Sequence, residues 1–122
     1  MSITDKETKK MCDLAVSFMQ DKKAKDILIL DVRKLTSLTD YFILCTSEST
    51  PQTRAITDYT YKNMRKNGWR PNNLEDTKTL EWVAMDYFNI IIHIFNQETR
   101  DYYQFERLWA DAKIKKIDDA EI

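Results

Sequence analysis

The stretch from Trp82 to Trp109, WVAMDYFNIIIHIFNQETRDYYQFERLW, decides how this chain folds. Two short apolar runs, separated by Phe88 and Asn89, predict two strands joined in a hairpin. Asn accepts a positive φ more readily than Phe, which leaves the turn type open. Asn96 then offers an N-cap for a helix whose apolar face would carry Tyr102, Phe105, Leu108 and Trp109. The polar residues in or beside this stretch are the first candidates for function: Glu81, Asp86, His93 and Arg100.

Two further helices are predicted before this stretch. Thr4 and Glu7 fit a capping box for a helix over about residues 5–21. Thr50-Pro51 fits the start of a second helix, over about residues 51–67, that ends before Gly68. Spacings of three and four residues predict which sides face the sheet. These sides carry Met11, Leu14, Ala15 and Phe18 in the first helix and Ala55, Ile56, Tyr59 and Met64 in the second.

Residues 27–32 and 41–46 are short apolar runs typical of buried strands. We expect the first of them to be central and the two to pair. The segment from Trp69 to Leu80 is less regular, and a short edge strand is expected near Arg70 or Leu74, because proline is tolerated at sheet edges.

The order of these elements is typical of an α/β protein. We predict a single small domain, with a mixed β-sheet of about five strands packed with about three helices. The domain is expected at residues 1–112, and residues 113–122 are interpreted as a C-terminal tail that is mobile at least at its end.

Charge and composition exclude several classes of function. Lys and Arg number 19 against 20 Asp and Glu, whereas a general nucleic-acid binder usually carries a basic excess. One glycine in 122 residues excludes the glycine-dependent phosphate loops. No targeting segment or membrane-length apolar run is present, and two cysteines, Cys12 and Cys45, make no disulfide framework. We therefore expect a cytoplasmic protein in a reducing compartment, with no membrane partner.

The side chains that could do chemistry form no catalytic or metal-binding motif. His93 is the only histidine, and its isoleucine-rich surroundings favour a satisfied structural histidine of the sheet over a base or ligand. Asp31 and Asp40 adjoin strands, where α/β proteins place working carboxylates, yet neither is followed by a partner at metal-binding spacing. The hydroxyl-rich segment 47–50 is better explained as a helix start. We predict no catalytic residue, no cofactor and no metal.

Two other functions remain open at this stage. One is a vestigial nucleotidyltransferase-like or hydrolytic enzyme that uses Asp31, Asp40 and His93. The other is an RNA-binding accessory factor, whose basic residues would be Lys62, Arg65, Lys66 and Arg70.

The aromatic residues indicate a function more strongly than the residues of these two alternatives do. Trp69, Trp82 and Trp109, with six tyrosines, are more than a small core readily hides, and Trp and Tyr anchor protein interfaces. Because Trp82 opens a strand next to Glu81, an interface anchor is favoured for it. Core packing is favoured for Trp109.

Several segments match one known family in order. They are Asp21-Lys22-Lys23-Ala24, Ile27-Leu28-Ile29-Leu30-Asp31-Val32, Leu38-Thr39-Asp40-Tyr41-Phe42-Ile43, Trp82-Val83 with Asp86-Tyr87, Ile92-His93-Ile94-Phe95, Arg100 with Tyr102-Tyr103, and Glu106-Arg107-Leu108-Trp109-Ala110-Asp111-Ala112. Through them the chain resembles the ribosomal silencing factor family, also called Iojap-related, from about residue 21 to residue 112.

The resemblance implies a nucleotidyltransferase-like fold without the catalytic residues, and binding to the large ribosomal subunit through its protein uL14. Bound there, such a factor sterically blocks joining of the small subunit and represses translation, while organellar relatives act in large-subunit assembly. The partner-binding role carries over to Trp82, Asp86 and Tyr87, and to Glu81 by adjacency. No direct nucleic-acid contact is expected beyond proximity to the ribosome, and a homodimer is left open.

The chain departs from the family pattern at its turns. Phe88-Asn89 stands where the family commonly has Gly-Asp, Asn96-Gln97 stands where it often has His-Pro, and Thr46-Ser47-Glu48 replaces a glycine after the second strand. These changes affect local geometry rather than the implied partner. Acidic residues around Trp82 would complement a basic ribosomal protein: Glu75, Asp76, Glu81 and Asp86.

Overall fold

The structure is a computed structural model that describes residues 4–76 and 78–118. Within these ranges the chain forms six strands and four helical segments. In order they are α1 (Asp5–Asp21), β1 (Lys25–Asp31), β2 (Tyr41–Ser47), α2 (Thr50–Lys66), β3 (Asn73–Asp76), β4 (Trp82–Asp86), β5 (Ile90–Asn96), α3 (Gln97–Tyr103), α4 (Phe105–Leu108) and β6 (Lys113–Lys116).

The strands form one mixed sheet in the order β3-β4-β5-β2-β1-β6. Neighbouring strands are antiparallel except β2 and β5, which are parallel. The expected pairing of the first two strands and the hairpin at Phe88-Asn89 are confirmed, as is the edge strand near Leu74, which is β3. The α/β class and the mixed sheet are therefore as predicted.

The sheet has six strands rather than about five, because part of the expected tail is a strand. Residues Lys113–Lys116 pair antiparallel with β1, from Leu28 opposite Lys116 to Asp31 opposite Lys113. Whether residues 1–112 make a domain without this strand stays a prediction. The end of the tail that was expected to be mobile, residues 119–122, lies outside the described residues.

The two faces of the sheet are covered differently. Helices α1 and α2 pack on one face, over a core that includes Ile43, Cys45, Val83, Met85 and Ile92. On the other face the α3–α4 segment covers β5 and β2, over a smaller cluster with Leu30, Phe42, Leu44, Phe95 and Phe105. Because the α3–α4 segment is short, it leaves part of this face of the sheet uncovered beside β4.

Helix α1 begins as predicted, since the Thr4 side chain accepts from the Glu7 amide at 3.1 Å. Its sheet-facing side is rotated from the expected one. Met11 and Ala15 are buried, but Leu14 and Phe18 are half-buried, and the remaining places on this side belong to Thr8, Cys12, Val16 and Met19.

Helix α2 differs from the prediction at its cap and on its inner face. Ser49 rather than Thr50 is the N-cap, accepting from the Gln52 amide at 3.1 Å. Ala55 is exposed, and the inner face carries Thr53, Ile56, Thr60 and Met64. Thr53 tolerates burial because its hydroxyl donates to the Ser49 carbonyl at 3.1 Å, a partner that no apolar-spacing rule takes into account.

The predicted third helix is divided into α3 and α4. Gln104 between them has a left-handed φ of 47°, so the side chains after it point in a new direction. Phe105 is buried and Trp109 packs on Phe42, as expected. Tyr102 and Leu108, placed on the apolar face from their spacing, are instead 74% and 73% exposed.

Arg100 fixes this broken segment to the sheet. Its side chain is buried, and its Nη1 donates to the Asp26 carbonyl and the Thr46 hydroxyl, each at 2.7 Å. Its Nε donates to Glu106 Oε1 at 2.5 Å. These bonds account for Arg100 as a structural residue that joins both helical pieces to β1 and β2.

Candidate functional site

Strand β4 contributes an alternating row of side chains to the open part of the sheet. Val83 and Met85 point into the core beneath α1 and α2, so Trp82, Ala84 and Asp86 point to the other face, because side chains alternate along a strand. All three are half-buried. On the neighbouring strand β3, Glu75 lies opposite Ala84 and Asn73 lies opposite Asp86. We call the surface formed by Asn73, Glu75, Trp82, Ala84 and Asp86 the open face.

Trp82 is held in place by a ring of aromatic contacts. Its ring centroid lies 5.0 Å from that of Phe95, 5.1 Å from Tyr103 and 5.8 Å from His93. Its Nε1 donates a hydrogen bond to His93 Nδ1 at 3.0 Å. The indole is therefore a half-exposed side chain with a fixed orientation, which is the property expected of an interface anchor.

His93 lies beneath Trp82 on β5 and is 6% exposed. Burial lowers the pKa of its imidazole to about 4, so the ring is neutral near pH 7. Because Nδ1 accepts from Trp82, the single ring proton belongs on Nε2. Nε2 is buried and has no hydrogen-bond partner among the residues that the structure describes. His93 is buried in the sheet, as expected of a structural histidine, but only one of its two ring nitrogens has a hydrogen-bond partner among the described residues.

Acidic residues lie around the end of the open face that carries Trp82. A cleft of about 280 Å³ is lined by Glu75, Asp76, Trp82, Ala84 and His93. Glu75 therefore shares the open face with Trp82, as the sequence predicted. Asp76 lies opposite Val83, so it borders the cleft while its side chain points to the other face of the sheet. Glu81 is exposed and directly precedes Trp82.

The other two predicted site residues lie at the far end of β4. Asp86 shares the open face, and its Oδ1 accepts from the Phe88 amide at 2.8 Å. Tyr87 is 4% exposed and packs in the core beneath α1 and α2, where burial raises the pKa of its phenol. The structure therefore places Tyr87 on the side of the sheet opposite the open face, where it supports the hairpin that carries Asp86, and its partner-binding role stays a prediction.

Residues that sequence reasoning missed extend the aromatic surface. Tyr103 packs beside Trp82, with the two rings tilted by 50°, and is 55% exposed. Tyr102 lies next to it with centroids 5.0 Å apart. Two neighbouring tyrosines in a short helix were the available signal, because tyrosine is a residue that anchors protein interfaces. The helical spacing predicts Tyr102 on the apolar face of the third helix and gives Tyr103 no place there.

The residues of the enzyme alternative are not brought together. Asp31 pairs with Arg33 at 2.7 Å, and the side-chain hydrogen bond from Arg33 lowers the pKa of that carboxyl. In the sheet, Asp31 lies opposite Tyr41 and two strands away from β5, on the face that α1 and α2 cover. Strand spacings place it on the order of 14 Å from His93. Asp40 lies at the same end of the sheet as Asp31, and its backbone amide donates to the Asn89 carbonyl at 3.1 Å.

The hydroxyl residues at the start of α2 have structural roles. Ser49 caps the helix, and the Ser47 and Thr53 hydroxyls share a short hydrogen bond. Across residues 4–76 and 78–118, no three His, Cys, Asp or Glu side chains lie close enough together to hold a metal ion. Within the same ranges, no helix has the length and apolar character needed to cross a membrane.

The basic residues of the RNA alternative are exposed at the end of α2 and just after it: Lys62, Arg65, Lys66 and Arg70. They belong to the side of the sheet opposite the open face. The C-terminus of α2 carries partial negative charge from its free carbonyls, which makes it an unfavourable place for phosphate.

Fold and surface together define a small α/β domain with an aromatic, acid-rimmed face beside an edge strand. A family model described as "Ribosomal silencing factor during starvation" matches residues 5–122, and the chain belongs to this family.

Individual relatives are similar over most of this chain. The chain is 32% identical to the Bacillus subtilis protein named ribosomal silencing factor RsfS, over 90% of this chain and 93% of that protein. It is 28% identical to the mouse protein named mitochondrial assembly of ribosomal large subunit protein 1, over 88% of this chain and 47% of that one. A crystal structure of a Chromobacterium violaceum protein superposes with a TM-score of 0.81 at 31% identity, covering 92% and 93% of the two chains.

Proposed function

We propose that this protein is a ribosomal silencing factor that acts in the cytoplasm. It binds the large ribosomal subunit through protein uL14 and sterically blocks joining of the small subunit, so that translation is repressed. Family membership and the names of the relatives support the ribosomal part of this proposal. The name of the mouse relative also supports a role in large-subunit biogenesis.

The observation that carries the docking site is the immobilised Trp82 on the open face. Aromatic anchors that are rigid before binding lose little conformational entropy on binding. The carboxylate of Glu75 beside it, with Asp76, Glu81 and Asp86 on the rim, would attract a basic protein and speed its encounter. Ribosomal protein partners with a basic surface fit these features.

The mechanism requires no chemistry. A factor that covers the joining surface needs affinity and bulk alone, and this proposal assigns no catalytic residue, cofactor or metal to the chain. It also needs no direct contact with RNA, since both the anchor and its charged rim address protein side chains. Repression then follows from occupancy, and its strength follows from the affinity for the large subunit.

The test places a bulky side chain on the open face without disturbing the core. Ala84 lies between Trp82 and Asp86, and Ala84→Arg would fill the space that a partner needs. We expect binding to purified large subunits to weaken by at least about tenfold, because a central steric and charge clash exceeds 1.4 kcal/mol. Sedimentation with large subunits and with isolated uL14 measures the binding, and light scattering measures subunit joining.

The matched control is Ala55→Arg. Ala55 is an exposed alanine on α2, on the opposite side of the sheet, so this variant should bind and inhibit like the wild type. If Ala84→Arg binds as tightly as Ala55→Arg, the open face is not the docking surface. If the wild-type protein itself does not co-sediment with large subunits, the proposed function is wrong.

A further inference from the structure

We propose that His93 is a positioning residue for docking: its Nδ1 atom holds the Trp82 indole in the orientation that the partner recognises. This inference rests on the proposed function, because it explains how the anchor of the open face is prepared for binding. His93 itself would not touch the partner.

The geometry makes His93 the acceptor that orients the indole. Trp82 Nε1 donates to Nδ1 at 3.0 Å, and the two ring centroids are 5.8 Å apart. The imidazole cannot easily turn away, because it is surrounded by rings of the smaller core cluster. Its centroid lies 4.6 Å from Phe105, 5.5 Å from Phe42 and 5.8 Å from Phe95. A fixed acceptor thus meets the half-exposed indole on its buried side, and the hydrogen bond sets which way the indole ring faces.

Stability alone does not explain a histidine here. The other residues of β5 from Ile90 to Phe95 are apolar, and His93, at 6% exposed, is buried among them. Its Nε2 proton has no acceptor within the described part of the chain, and a buried, unsatisfied donor costs free energy that an aliphatic side chain of similar size would not. A residue that costs stability in a well-packed place is expected to serve a function. The one specific bond that His93 makes there is the bond to Trp82.

The lowered pKa of His93 fits the same role. Near neutral pH the ring stays uncharged, so Nδ1 keeps the lone pair that accepts from the indole. A protonated ring would carry hydrogens on both nitrogens and could no longer accept. Burial among aromatic rings therefore both fixes the imidazole and preserves its acceptor.

Two substitutions separate positioning from packing. His93→Leu keeps an apolar side chain of similar volume and removes the acceptor, together with the unsatisfied Nε2 proton. His93→Asn places an amide oxygen near the position of Nδ1 and so keeps an acceptor, but it buries an amide group with few partners. A merely structural histidine predicts that affinity follows stability in these variants. The positioning role predicts that the two properties separate.

The expected results for the full-length protein are opposite in sign. His93→Leu should melt about 2–8 °C above the wild type, because a buried unsatisfied donor is gone. Its affinity for purified large subunits should nevertheless fall roughly two- to tenfold, the value of one net hydrogen bond. His93→Asn should melt below the wild type and keep most of the affinity. Differential scanning fluorimetry and co-sedimentation measure the two properties.

A spectroscopic readout in the free protein tests the hydrogen bond directly. The Trp82 indole Nε1–H resonance should shift in His93→Leu and remain close to its wild-type position in His93→Asn. A scalar coupling across the hydrogen bond, between Trp82 Nε1 and His93 Nδ1, should be detectable in labelled wild-type protein. This measurement decides the question even if His93→Leu does not fold, and its absence would overturn the proposal.

The outcomes for positioning and for the proposed function are distinct. If folded His93→Leu binds large subunits as tightly as the wild type, His93 does not position the anchor, although the open face can still dock. If the wild type does not bind, the function fails whatever the indole resonance shows. If His93→Asn and His93→Leu lose affinity equally, an acceptor at this position is not what the docking surface requires.

Discussion

At the tip of the β4–β5 hairpin, Phe88 is a strained residue. It has a φ of 71° and is 69% exposed, and a left-handed conformation costs a residue with a Cβ atom about 1–2 kcal/mol. Glycine has no such cost, although it loses more entropy on folding. We expect Phe88→Gly to raise the free energy of unfolding by about 0.5–1 kcal/mol, as measured by urea denaturation.

The control for this substitution is Phe88→Ala, which removes the same ring but keeps the Cβ atom. It should be no more stable than the wild type. Because both variants lack the ring, a glycine variant that is less stable than the alanine variant would show that the positive φ at residue 88 stores no strain that glycine relieves.

The same turn shows what local sequence rules cannot supply. Propensity favours Asn89 for the positive φ, yet the structure places it at Phe88. Asn89 is committed elsewhere: its Nδ2 donates to Thr8 Oγ1 on α1 at 3.0 Å, and its carbonyl accepts from Asp40. Contacts with residues so distant in sequence decide this turn. A hairpin was predictable here, whereas the residue that carries the strain was not.

At the level of elements, Arg100 determines whether α3 and α4 stay on the sheet. Arg100→Met would remove its bonds to the Asp26 carbonyl and the Thr46 hydroxyl and leave Glu106 without its ion pair. Since Arg100 is buried, we expect the free energy of unfolding to fall by about 2–4 kcal/mol. Urea denaturation measures this loss.

Arg107→Met is the matched control. Arg107 lies on α4, is exposed and bonds only locally, with Gln104 Oε1 at 2.6 Å. Its loss should cost less than about 0.5 kcal/mol. Equal effects for the two arginines would mean that Arg100 does not fasten the segment to the sheet.

This segment also explains why its apolar face was predicted incorrectly. Helical spacing assumes one continuous period, and the left-handed Gln104 interrupts it. Phe105 was still placed correctly, because it is the one bulky apolar residue that starts the second piece and can reach Phe42, with centroids 5.1 Å apart. The existence and type of the strong elements could be predicted, while breaks set by tertiary bonds such as those of Arg100 could not.

At the scale of the whole molecule, the sheet is held by distant parts of the sequence. The strong apolar runs at residues 27–32 and 90–95 predicted buried strands. The second of them, β5, is central, whereas β1 was expected to be central and instead lies next to the edge strand β6. The sequence Lys-Ile-Lys-Lys of β6 has only one apolar residue, and that residue, Ile114, is 46% exposed. Such an edge strand has no hydrophobic signature of its own, and its position depends on the free edge that β1 offers. Trp82 and its acidic neighbours were predictable because an exposed aromatic in a charged setting is unusual, whereas the bond to His93 was not.

The last prediction tests where the domain ends. Truncation after Ala112 removes β6 and with it the antiparallel pairing that runs from Leu28–Lys116 to Asp31–Lys113, as well as Ile117, which packs against the larger core. The β1 edge would then be unpaired, with apolar residues beside it. We expect the free energy of unfolding to fall by about 2–4 kcal/mol through the lost backbone hydrogen bonds, and the protein to self-associate through the new edge. Urea denaturation and analytical ultracentrifugation measure these effects.

Truncation after Asp118 keeps β6 and should behave as the full chain does. If residues 1–112 are as stable and as monodisperse as residues 1–118, the boundary predicted from the sequence is right, and β6 only covers an edge that is stable without it.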